Sequence, residues 1–386
     1  MEKGLTGEAE VVRALEAPIG KPRLEQCVKA GQKVVVITSD ISRPMPTWTV
    51  LPPVVERLER AGVRREDITV VFALGSHRGH TEEEHKKMLG SLYGKIHAVD
   101  SDPNDVVHLG TTTAGTPVDI FRTVTEADFV LAMGNIEYHY FAGYSGGAKA
   151  LMPGVSTPDA IQVNHKMMTD ERAHAGNMKS PVRVDIEECL KFQPVDYIVN
   201  VVLDEHKQVI NAVAGDVIEA HRVGCDFLDS LYKIKIKERA DVVVVSAGGY
   251  PKDQNMYQAQ KALDNAKHAV KDGGTVIWLA GCDEGLGSKN FERWMTTMRP
   301  EEMMPAIKKH FELGGHKAAA VAAVMARADI YLISELNPDF VKSMGFLPAE
   351  NLETAFRLAT EKQGAESTVI VMPYGGSTLP LIADKD

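Results

Sequence analysis

A lysine closing a glycine-rich run, Tyr144-Ser145-Gly146-Gly147-Ala148-Lys149, is the residue of this chain best suited to chemistry by its setting. Glycines ahead of a lysine let backbone N–H groups approach an anion and present a flexible amine beside it. The run is not a Walker loop, because the G-x-x-x-x-G-K-[ST] spacing is absent and Ala150 follows the lysine. His139 stands ten residues before Lys149 and His165 sixteen after it. An imidazole titrating near neutral pH suits general acid/base work, and as a neutral ligand it suits nickel, zinc or copper. His165 has no second ligand close in sequence, so a metal site made of side chains alone would be incomplete. A structural histidine on a helix would leave the same trace.

Three further segments carry groups of the same kind. Asp40 and Arg43 lie three apart in Thr38-Ser39-Asp40-Ile41-Ser42-Arg43-Pro44. They read either as a helix cap with a surface salt bridge or as a loop whose guanidinium clamps a carboxylate or phosphate. His77 sits in Gly75-Ser76-His77-Arg78-Gly79-His80, ahead of Thr81 and Glu84, which form a capping box for the next helix. Gln258 and Lys261, three apart in Tyr257-Gln258-Ala259-Gln260-Lys261, share one face of a helical turn. That face is either simply solvated or able to hold a small carboxylate.

The elements that must position these groups are legible as alternating strands and helices. Apolar, β-branched runs at 33–38, 68–74, 129–133, 198–203, 241–246, 275–280, 330–334 and 368–372 suit parallel strands buried on both faces. Helical patterns are expected at 47–61, with prolines in the first turn, and at 257–271, 301–312, 316–327 and 349–362. The pattern predicts an α/β protein of two doubly wound, mostly parallel domains, with the active site in the cleft between them. The charged stretch 231–239 marks the boundary, giving a cofactor-anchoring domain 1–237 and a substrate-binding domain 238–364. The tail, 365–386, could pack back onto the first domain or stay with the second.

Composition narrows the partners. A length of 386 residues suggests two cores rather than one. A net charge of −10 with a pI near 5.8 argues against nucleic acid or an anionic membrane surface. Cys27, Cys189, Cys225 and Cys282 show no C-x-x-C spacing and read as isolated thiols of a reducing compartment. With no signal-peptide pattern in the first ten residues and no bilayer-spanning run, the expected location is cytoplasmic.

Taken in order, the segments SDISRP, GSHRGH, HYFAGYSGGAKALMPG, VNHKMM and GGYPKDQNMYQAQK resemble the nickel-dependent lactate racemase family. The resemblance spans roughly residues 38 to 261, and the compound spacing is far more specific than any one piece. It implies a nickel-pincer nucleotide, a pyridinium mononucleotide whose two sulfur-bearing arms and one ring carbon hold the metal. Lys149 would tether it as a thioamide, with Asp40, Gly146 and Gly147 around it, and His165 would supply the protein's ligand to nickel. His77 and His139 match the acid/base pair. Arg43, Gln258 and Lys261, and less firmly Tyr257, match positions that hold the substrate. Enzymes that mature the cofactor are implied as partners.

The implied activity is racemisation or epimerisation of a 2-hydroxy acid by hydride transfer. Lactate-specific members place an aromatic side chain against the substrate's small end. The corresponding region, Gly314-Gly315-His316-Lys317-Ala318-Ala319-Ala320-Val321, has none. His316 and Lys317 could instead meet a second carboxylate, as in malate, or simply begin a helix. Two other readings stay open: an NAD- or zinc-dependent hydroxyacid oxidoreductase, lacking the G-x-G-x-x-G pattern and paired zinc ligands, and a non-catalytic cofactor- or metabolite-binding protein.

Overall fold

The computed structural model describes residues 5–382, so the readings made at the extreme ends of the chain fall partly outside it. The chain divides into two compact units, one running to Leu231 and the other starting at Tyr232. In the first, β1 (Val34–Ser39), β2 (Ile68–Ala73), β3 (His97–Asp100), β4 (Phe129–Asn135), β5 (Tyr197–Leu203) and β6 (Val209–Gly215) form one sheet. Its order is β6-β5-β4-β1-β2-β3, parallel throughout except where β6 returns against β5. Val36, Val70, Leu131 and Val199, one from each of four neighbouring strands, are fully buried together in the core. Each such side chain contributes on the order of 1.5–3 kcal/mol by leaving water.

This order places the site. β4, β1 and β2 are parallel neighbours, so the loops that follow them emerge side by side at one edge of the sheet. The strand order reverses between β1 and β4, and ligands of open α/β sheets bind at such a reversal, beyond the carboxyl ends of the strands. The loops in question carry Asp40 and Arg43, then His77, then His139 and Lys149.

In the second unit, β7 (Ala240–Ser246), β8 (Val270–Leu279), β9 (Ala328–Ile333), β10 (Leu347–Pro348) and β11 (Val369–Met372) form a wholly parallel sheet of order β10-β9-β8-β7-β11. All eight strands expected from the sequence are present within a few residues. The charged stretch expected as the boundary contains a strand, Lys233–Ile236, paired in parallel with Leu379–Ile382. Both tail strands therefore belong to sheets of the second unit. Two helical details differ from expectation. The helix expected over 257–271 runs Met256–Ala266, because Val270 already begins β8. The helix Thr47–Arg60 holds Pro52 and Pro53 in its interior rather than in its first turn. Among the described residues no helix is long and apolar enough to cross a membrane.

Candidate active site

The loop after β1 is organised around a buried carboxylate. Asp40 Oδ1 accepts the Ser42 N–H at 2.8 Å, and Oδ2 lies 3.0 Å from His77 Nδ1 on the loop after β2. Burial would raise this carboxyl, but the His77 and Ser42 hydrogen bonds outweigh it and hold the group down at about 2. Asp40 is thus an ionised, acceptor-only partner at neutral pH, so Nδ1 of His77 carries the ring proton and Nε2 keeps its lone pair. Asp40 takes His77 and Ser42 as partners rather than Arg43, whose backbone N–H bonds to the Asp40 carbonyl. Arg43 itself is exposed. It helps line a cavity of about 380 Å³ with Trp48, Lys87 and Lys207.

The lysine loop is held by side chains from elsewhere in the first unit. Tyr138–His139 pairs antiparallel with Gly143–Tyr144 in a small hairpin, and the hydroxyls of Tyr138 and Tyr144 both donate to Asp229. Arg183, fully buried, donates to the carbonyls of Ala142, Tyr144 and Gly146. Burial lowers its guanidinium to about 10, still charged at neutral pH. His221, kept neutral chiefly by burial, donates from Nε2 to the Ser145 carbonyl at 2.8 Å. Lys149 then falls in the short turn Gly147–Ala150.

The glycines of this loop have a reason the sequence does not disclose. Gly146 and Gly147 adopt φ of 74° and 59°, and a Cβ on either would press into Asn200 or His221 at under 3 Å. The Gly147 N–H is spent on Asn200 Oδ1 at 2.7 Å. They let the loop close on the protein itself, and the Gly147 N–H is taken by that closure. Gly154, whose carbonyl accepts the Gly75 N–H at 2.9 Å, ties the end of the lysine loop to the His77 loop. A Cβ there would stand 2.1 Å from the Ala150 carbonyl oxygen and 2.9 Å from Ala73 Cβ. Backbone cannot swing aside as a flexible side chain would. Gly154→Ala is expected to cost about 3 kcal/mol, read as a lower melting temperature of the apoprotein; an unchanged value would contradict this packing.

His139 and His165 flank Phe141, whose ring lies edge-on to both, with centroids 4.5 and 4.8 Å away. Burial pushes the His139 imidazole well below its ordinary value, and the charges of Lys149, His165 and Arg43 add to the effect. The ring is therefore neutral. Its Nδ1 accepts the Ala142 N–H at 3.3 Å, which leaves the proton on Nε2. His165, on the helix Pro158–Lys166, has its Nδ1 3.0 Å from Asn164 Oδ1. Asn164 is fully buried, and its NH₂ donates to the Val182 carbonyl and to Asp185, so its oxygen must face the imidazole. The proton of His165 is thereby placed on Nδ1, which makes Nε2 the nitrogen that bears the lone pair.

The second unit holds the remaining candidates. Gln258 and Lys261 lie exposed on the helix Met256–Ala266, capped by Asn255, whose side chain accepts the Gln258 N–H. Tyr257 packs edge-on against Phe291, and Lys317 Nζ lies 3.7 Å over its ring while donating to its carbonyl at 2.7 Å. Lys317 is buried and occupied with Tyr257. His316 is buried too, drawn down to about 3 by burial and then by the charge of Lys317, and it accepts the Gly314 N–H. Neither is presented to a second carboxylate; the helix-start reading is the one the packing matches. The sequence does not single out Asn164, Asp185, Arg183, Asn200 or Asp229: Asn164 adjoins His165, and the other four reach Asn164, the lysine loop or its hairpin from elsewhere in the first unit.

A family model for the lactate racemase N-terminal domain matches residues 1–176, and one for the lactate racemase C-terminal domain matches residues 235–379. A lactate racemase from Thermoanaerobacterium thermosaccharolyticum is 31% identical over 97% of this chain and 91% of its own length. Another from Lactiplantibacillus plantarum is 32% identical over 96% and 90%. The solved structure of the lactate racemase apoprotein from T. thermosaccharolyticum superposes with a TM-score of 0.91 at 31% identity, covering 98% of this chain and 94% of that one. A Thermotoga maritima protein, at 18% identity and a TM-score of 0.69, shares the fold alone. Two domain models in the right order, and relatives matched over nearly the whole length, place the chain in the lactate racemase family of isomerases.

Proposed function

We propose that this protein interconverts the stereoisomers of a small 2-hydroxy acid, lactate first among them, with His77 and His139 as its acid/base pair. The observation that carries the reading is the opposed protonation of the two rings: Asp40 leaves His77 with a bare Nε2, while the Ala142 amide leaves His139 with a protonated one. One ring is set to take a hydroxyl proton and the other to return it. Racemisation needs that pair, because the hydroxyl occupies different sides in the two enantiomers.

A nickel-pincer nucleotide fits the donors present. Among the residues of this site, His165 offers one imidazole nitrogen with its lone pair directed by Asn164, so the other ligands must come with the group, as this cofactor's arms and ring carbon would provide. Lys149 would hold it covalently. When bound, the group supplies a reversible hydride acceptor, so the hydroxy acid passes through a planar 2-oxo acid rather than a dianion. His77 Nε2 takes the hydroxyl proton, and His139 Nε2–H returns one. Arg43 in the first unit would take the substrate carboxylate, and Gln258, Lys261 and Tyr257 are the candidates the second unit offers for holding the substrate. Because His316 and Lys317 are taken up inside the second unit, a monocarboxylate is the better substrate and malate the poorer.

The test is racemisation of enantiopure [2-²H]lactate by protein matured with its cofactor, without added nicotinamide. Loss of optical rotation with the label retained at Cα is expected. Label washed out into solvent would mean proton abstraction instead, and no racemisation of lactate or of a panel of other 2-hydroxy acids would leave a binding protein.

A further inference from the structure

Asp100, at the end of β3, receives three hydrogen bonds that the chemistry above does not use. Its Oδ2 accepts the His80 backbone N–H at 2.7 Å, and Oδ1 lies 2.6 Å from His80 Nδ1 and 2.9 Å from His85 Nε2. The His80 side chain is 1% exposed, with Phe72 edge-on and His85 tilted against it. On its far side, Nε2 meets the backbone N–H of Ile41 at 3.0 Å. Ile41 follows Asp40 directly, and Asp40 holds His77. One imidazole therefore spans the loops after β1 and β2 and anchors both to β3.

Two uses of such a cluster compete. The donors His80 Nδ1, His85 Nε2 and an Asp100 oxygen lie within 4.8 Å of one another, close enough to surround a metal ion. A backbone N–H can only donate, so the nitrogen facing Ile41 must carry the lone pair and Nδ1 must carry the proton. A metal on Nδ1 would move that proton to Nε2 and set it head-on against the Ile41 N–H. The ring cannot serve both partners, and both of its nitrogens are already satisfied.

We propose that His80, oriented by Asp100, is a positioning residue for the acid/base dyad: it fixes the Ile41 amide and thereby the carboxylate of Asp40 against His77. The inference rests on the assignment of His77 as an acid/base group. Its physical ground is that a catalytic group displaced by ~1 Å loses about 10²-fold in rate, and His80 ties the Asp40 backbone to the strand beneath it. The tie adds to the bonds the exposed Ser42 makes to Asp40 and His77, which hold the two loops to each other but not to the strand beneath them.

The experiment pairs two variants with a spectroscopic readout. His80→Leu fills the volume but offers the Ile41 amide no acceptor; His80→Gln can present a carbonyl oxygen to it. In cofactor-loaded protein, His80→Leu is expected to lower kcat about 10²-fold with KM and cofactor retention little changed, and His80→Gln to recover most of the rate. In apoprotein with ¹⁵N-labelled histidine, His80 is expected to show the Nδ1–H tautomer, and Asp100→Asn to perturb that signal if the leucine variant does not fold. A normal kcat in His80→Leu, or equal losses in both variants, overturns the proposal. So does an Nε2–H tautomer, or stoichiometric Zn²⁺ or Ni²⁺ binding to apoprotein that Asp100→Asn abolishes. His77→Ala separates the two levels: if it retains activity the dyad itself falls, whereas an inactive His77→Ala beside a fully active His80→Leu removes only the role of His80.

Discussion

Lys149→Ala is expected to abolish covalent cofactor retention and all racemase activity while leaving the apoprotein folded. The two halves of that outcome come from different parts of the structure. The backbone around the lysine is held by groups that the substitution does not touch: Arg183 on three carbonyls, His221 on Ser145 and Asn200 on the Gly147 amide. None of those backbone hydrogen bonds is made by the lysine side chain, so the loop is expected to keep its conformation in the variant. Covalent attachment, by contrast, needs a nucleophilic nitrogen at this point of the loop, and alanine has none. Intact-mass measurement on protein matured in the presence of the cofactor enzymes decides the matter. A mass increment on the wild type that persists in the alanine variant would show the tether to be another residue. Lys149→Arg serves as control, since it keeps a positive charge but not a free amine.

How far this site could be read from the sequence depends on the range over which its parts interact. The central strands announce themselves because a parallel strand buried on both faces is a continuous apolar run, as at Val34–Ser39 and Ala240–Ser246. Edge strands do not: His97–Asp100 is half exposed, and its polar ends hide it. Lys233–Ile236 lies inside the charged boundary stretch, where its Lys-Ile alternation is the only strand signal. The candidate residues stand out in the sequence because they fall in compact motifs, as His77 does within Gly75–His80. The groups that hold those motifs in shape were not, because they come from farther along the chain: Asp185 reaches Asn164 across 21 residues, and Asn200 reaches Gly147 across 53. His80 lay in plain view within Gly75–His80 motif letters, yet only the fold brings the Ile41 amide to it, 39 residues away.

Asp40→Asn is expected to cost about 10²–10⁴-fold in kcat/KM, although it changes one atom and leaves the volume of the site alone. The size follows from where each oxygen of Asp40 points. Oδ1 accepts the Ser42 N–H, a donor that cannot reverse, so an asparagine must keep its carbonyl oxygen there and turn its NH₂ towards His77. His77 Nδ1 would then have to accept, and the ring proton would move to Nε2, the nitrogen that must take the hydroxyl proton. Both histidines would be protonated on the catalytic side and neither could act as base. Two further results separate this account from simple loss of charge. His77→Ala and the double variant His77→Ala/Asp40→Asn should be equally impaired, because the carboxylate acts only through the ring it orients. His139→Ala should be as impaired as His77→Ala, each turnover needing one acceptor and one donor. The losses must match in the two directions, since mirror-image molecules have an equilibrium constant of one; the magnitude is what the measurement decides. If Asp40→Asn keeps near-normal kcat/KM, the His77 proton is not set by Asp40, and the division of labour between the two imidazoles fails with it.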